Sequence, residues 1–148
     1  MASEKSHIKI FEELGFKPKE DRTIIVQYQA NDMSEAIYNF FSTESFILQL
    51  TYSEILIAKL SDWTTNIKKE SILSIPYAEI ENIDIYEHGL NYRIDIKTSD
   101  SIIKLSAQQG KLSGIRLNSL YVGLKNWHEK NVNDTLDELK NIKKDDYI

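Results

Sequence analysis

Residues 71–106, SILSIPYAEIENIDIYEHGLNYRIDIKTSDSIIKLS, constrain this chain most tightly. Tyr92, Ile94 and Ile96 alternate with Arg93, Asp95 and Lys97, the two-residue period of a half-buried strand. Glu87, His88 and Gly89 separate that run from the one before it and supply the glycine of a hairpin turn. Asp100 and Ser101 end the second run before a third at 102–106. Ile80, Ile83 and Ile85 do not share one parity, which predicts a bulge near Glu81 and Asn82. Pro76 cannot donate to a ladder and marks a strand end or an edge. An antiparallel meander is the economical solution.

The segments before the meander add strands and two short helices. Residues 3–14 form an amphipathic helix with Ile10, Phe11 and Leu14 on one face, stopped by Gly15 and Pro18. Residues 17–22 read as a charged connector, and 23–29 (TIIVQYQ) as a first strand with Ile24, Val26 and Tyr28 on one face. Asp32 and Glu35 then stand in capping-box spacing, and Met33, Ile37, Phe40 and Phe41 recur at helical spacing. Residues 46–51 and 54–60 form the next strand pair. The first sets Phe46, Leu48 and Leu50 against Gln49 and Thr51, and the second is nearly all apolar. The loop after it carries Trp63 and the basic pair Lys68 and Lys69.

Gly110 and Ser113 precede a long helix whose stripe is Leu117, Leu120, Tyr121, Leu124 and Trp127. Residues 131–133 break that pattern, and 135–144 read as a separate last helix. The expected fold is α+β. A bent antiparallel sheet, or partly open barrel, of about seven strands is capped by a C-terminal amphipathic helix, with an N-terminal helix and a helical insertion at 31–45 between the first two strands. The expected division is 1–22, helix and connector; 23–130, one domain; and 131–148, a helical tail.

The order resembles the pleckstrin-homology-like superfold, and more closely the small bacterial PH-like proteins of GRAM or YokE type. Residues 46–60 resemble that family's long hairpin and 74–85 (SIPYAEIENIDI) its following strand pair, within a likeness covering about 23–130. The resemblance implies a nearly orthogonal barrel with the 116–130 helix over one end, Trp127 standing for the tryptophan PH domains carry there. In lipid-binding PH domains the first loop holds basic residues for inositol phosphates. Here 31–45 holds Asp32, Glu35 and Glu44 and no Lys or Arg.

Chemistry-bearing patterns are few. There is no cysteine, so neither a disulfide nor a thiolate metal site can form from this chain. His7, His88 and His128 fall on different expected elements, and no zinc-protease, nucleophile-elbow or phosphate-loop motif occurs. Glu79 and Glu81 flank the kink without an evident partner, and Glu12–Glu13 and Asp145–Asp146 read as solvated faces. The expectations are therefore no enzyme, no catalytic residue, no cofactor, no metal and no small-molecule substrate. No apolar run reaches membrane-spanning length and 1–13 lacks a signal-peptide core, so the expected location is cytoplasmic.

The net charge of −5 opposes a phosphate-binding surface. Residues 104–130 carry Lys104, Lys111, Arg116, Lys125 and Lys130 against Glu129, which suggests a basic helix beside the acidic meander. Nucleic acid is the weaker use of that helix, since its apolar stripe must face the sheet. The function expected is a non-catalytic module that binds a protein partner or self-associates through Met33, Ile37, Phe40, Phe41 and Trp63. The alternative is a peripheral membrane or lipid-headgroup module using Lys68 and Lys69, which the acidic charge disfavours.

Overall fold

A computed structural model describes residues 4–28, 45–59, 72–89, 91–108 and 122–142. It is α+β. Helix α1 (Glu4–Glu13) precedes β1 (Pro18–Tyr28), β2 (Ser45–Thr51), β3 (Glu54–Lys59) and β4 (Ile72–Pro76). A 3-10 turn, Tyr77–Glu79, leads to β5 (Ile80–His88), β6 (Asn91–Thr98), β7 (Ile102–Gln108) and helix α2 (Val122–Lys140). The strands form one antiparallel sheet in the order β4-β3-β2-β1-β7-β6-β5.

This order forces the sheet to curl. Seven strands laid flat would separate β4 from β5 by about 29 Å, at about 4.8 Å per strand. Yet only the three-residue turn links them, a reach of at most about 14 Å. The two ends of the sheet are therefore brought close together. The inner face closes around Ile24, Val26, Phe46, Leu48, Leu50, Ile55, Ile57, Ile75, Ile80, Ile94, Ile96, Ile103 and Leu105, to which every strand contributes. Tyr77 locks the joint: its hydroxyl donates to the Thr51 carbonyl (2.6 Å) and its amide to that of Ser53 (2.9 Å).

Residues of opposite parity on the same strands, Ile25, Ile47, Leu56 and Ala58, form a second cluster on the outer face with Phe11 and Trp127. Helix α1 covers it. The helix ends on Gly15 at φ +96°, with Phe16 N–H donating to the Phe11 carbonyl and Gly15 N–H to that of Glu12 (both 3.0 Å). Phe11 and Phe16 meet edge-on beneath this stop, the apolar contact that accompanies a Schellman cap. Gly15→Ala should cost about 1 kcal/mol in urea unfolding although open space surrounds the site, because the strain is in the backbone. An unchanged midpoint would show that the cap is dispensable.

Several sequence expectations hold. The bulge falls between Ile80 and Asn82, and Gly89, at φ +63°, turns the β5–β6 hairpin. Others are corrected. The connector expected at 17–22 is mostly strand, since Pro18 pairs with Thr51 and the ladder resumes at Thr23 after an irregular stretch. Asp21 takes φ +60° there, a conformation a short polar side chain tolerates. Gln49 and Thr51, on the face opposite Phe46, Leu48 and Leu50, are buried as well. Gln49 accepts from the Thr23 hydroxyl and donates to the carbonyls of Lys19 and Leu50, so the irregular stretch of β1 is anchored to it.

The break expected at 131–133 is also absent: α2 runs unbroken to Lys140. Val132, Leu136 and Leu139 continue its apolar register into the inner core. The stripe residues Leu117, Leu120 and Tyr121 lie outside the described residues. Among the described residues, the ion pairs of α2 run to β1. Lys130 meets Asp21 of β1 at 2.8 Å, and Glu138 accepts from Arg22 (2.8 Å) and Lys19 (3.3 Å).

Candidate functional site

Among the described residues, strand β1 pairs with β7 only at Gln27 and Tyr28. Thr23, Ile25 and Gln27 point their backbone groups to the same edge, so above Gln27 that edge needs other partners. Helix α2 supplies them. Ile25 N–H donates to His128 Nδ1 (3.0 Å), and Asn131 Nδ2 donates to the Thr23 carbonyl (3.1 Å). Both side chains are buried. Two helical side chains thus stand where a neighbouring strand would otherwise be. This also lets α2 serve both faces, Trp127 on the outer cluster and Val132 on the inner.

The bonding settles what two histidines can do. His128 uses the lone pair of Nδ1, so its ring hydrogen sits on Nε2 and the imidazole is neutral. His7 is buried with its ring edge-on to Trp127 at 5.2 Å. Burial lowers its pKa to about 4, because the charged form would lose its water. No local pattern shows that these two belong to one region; His7 reaches it by packing on Trp127, the sequence neighbour of His128. His88 is exposed in the β5–β6 hairpin. Glu79 and Glu81 are exposed on the turn and at the bulge, and Glu12 and Glu13 on α1. Among the described residues no group of three or more His, Cys, Asp or Glu could hold a metal ion, and no helix there is long and apolar enough to cross a membrane.

The expected partner-binding residues Met33, Ile37, Phe40, Phe41 and Trp63, and the headgroup candidates Lys68 and Lys69, all lie outside the described residues. Within them, the surface that stands out is the β5 end of the sheet. The two terminal strands differ. Strand β4 has five residues and finishes in proline, both devices that blunt an edge. Strand β5 has nine residues, IENIDIYEH, with neither proline nor lysine, and its only irregularity lies at its start. Its inward residues Ile83 and Ile85 are half-buried, whereas their β6 partners Ile96 and Ile94 are fully buried.

On the outward side, Asp84 lies opposite Asp95, and Asp95 opposite Lys104; Tyr86 lies opposite Arg93. Alternation in the sequence marks both faces of β5, but no local signal shows that it is terminal. That property comes from β1 pairing with β7 over a long separation. No protein-family model and no curated protein matches the chain.

Proposed function

We propose that this chain is a non-catalytic, PH-like interaction module whose ligand is another protein. The supporting observation is that side chains from all seven strands and α2 fill the inside of the curled sheet. Recognition then falls to the rim and the terminal strand. Two of the three histidines are committed to the fold: His128 to the backbone of β1 and His7 to its packing on Trp127. A surface that combines half-buried isoleucines with carboxylates suits a protein better than a phosphate-bearing ligand.

The test is affinity capture from native lysate, followed by reconstitution of each candidate from purified components. A stable stoichiometric complex is the expected result. A chain that stays monomeric, yields no reconstitutable partner and co-sediments with anionic vesicles would replace this reading with the membrane alternative.

A further inference from the structure

We propose that the outer face of β5, β6 and β7 is a self-complementary surface through which two copies of this chain form a weak, reversible dimer. The inference goes beyond the protein-binding reading above and does not depend on it.

Strand register sets the outward side chains in rows: Asn82, Lys97 and Ile102; then Asp84, Asp95 and Lys104; then Tyr86, Arg93 and Ser106. Neither apolar cluster includes a residue of these rows, and Tyr86 and Ile102 stay exposed on them. The charges there are not matched internally. Among the described residues none of Asp84, Arg93, Asp95, Lys97 and Lys104 enters an ion pair. Arg93 and Asp95, neighbours on the central strand, are both half-buried. Asp95 Oδ1 is also shut off from water with no hydrogen-bond donor. Such a carboxylate keeps only part of its hydration and gains more from an incoming cation than an exposed one does.

The arrangement of charge decides the occupant. Arg93, Lys97 and Lys104 nearly balance Asp84 and Asp95, so the face favours neither a strongly acidic nor a strongly basic partner. A second copy fits it. A two-fold axis in the contact plane, crossing β6 at Ile94 at right angles to the strands, lays each face on the other with the rows exchanged. Arg93 then lies over the partner's Asp95, Asp95 over the partner's Arg93, and the Tyr86 hydroxyl over the partner's Asp84. Sheets packed face to face keep their strands within about 30° of each other, so the match holds around the axis. An axis along β6 would instead set Arg93 on Arg93 and Asp95 on Asp95, which repel, and one orientation is selected. The face spans about 20 Å along the strands and about 10 Å across them, the scale of a transient contact.

Sedimentation velocity of the full chain, at concentrations rising to millimolar, should show a reversible monomer–dimer equilibrium that added salt weakens. Concentration-dependent amide shifts should centre on the middle of β6. Arg93→Asp and Asp95→Arg should each weaken the dimer at least about tenfold, because the axis makes every reversal count twice. The double swap, Arg93→Asp with Asp95→Arg, should dimerise again, a result that misfolding cannot give. The two single variants, mixed, should pair with each other, since one then presents two carboxylates to two guanidinium groups.

A chain that stays monomeric at millimolar concentration would overturn the proposal. So would a dimer indifferent to both reversals, a swap variant that fails to associate, or shifts centred away from β6.

Discussion

Replacing His128 and Asn131 together by leucine should destabilise the fold by about 4 kcal/mol. Each substitution leaves one backbone group of β1 buried without a partner: Ile25 N–H in the first case and the Thr23 carbonyl in the second. Such an orphan costs about 1–3 kcal/mol, and leucine is close enough in size to keep cavity effects small. The loss is a large share of the roughly 5–15 kcal/mol that holds a domain together. Urea unfolding measures it, and the Ile25 amide should lose its slow hydrogen exchange. If the double variant stays within about 1 kcal/mol of the parent, α2 does not stand in for a strand here.

The second large effect is acid sensitivity. His7 has a folded pKa of about 4 against 6.5 unfolded. Between those values the unfolded chain holds a proton that the folded chain refuses, so stability rises with pH across the window and levels off above it. Acidification should therefore remove about 3 kcal/mol in total, with roughly two thirds of it gone by pH 5. His7→Phe keeps an aromatic ring against Trp127 and cannot titrate. Its urea midpoint should fall less than that of the parent between pH 7.5 and pH 5. Equal slopes for the two proteins would show that His7 takes up its proton without leaving its site.

What could be read from the sequence was what depends on near neighbours. Gly15 and Gly89 mark backbone conformations that glycine favours, and both sit where the turn requires them. The parity break among Ile80, Ile83 and Ile85 is local as well, and it located the bulge. The misreadings share one cause, a partner far along the chain. Lys19, Asp21 and Arg22 look like a solvated connector until Glu138, Lys130 and Gln49 are placed around them. Asn131 looks like a helix breaker until its amide finds the Thr23 carbonyl. Once that bond exists, the residue is buried and the helix passes through it. Position in the sheet was hidden for the same reason. Nothing within IENIDIYEH states that it is an outermost strand of the sheet.

The β1–α2 seam bears on how the chain is made. Its bonds join residues more than a hundred positions apart: 103 for Ile25 and His128, 108 for Thr23 and Asn131, 119 for Lys19 and Glu138. On the ribosome, β1 emerges before α2, and its first available partner is β2, its nearest later neighbour. Its opposite edge must wait until β7 and then α2 have been synthesised, several seconds later at about 5–20 residues per second. Through that interval the nascent chain carries an incomplete sheet with Thr23 and Ile25 unmatched, the kind of edge that recruits other chains. Release of α2 from the exit tunnel is what ends the exposure.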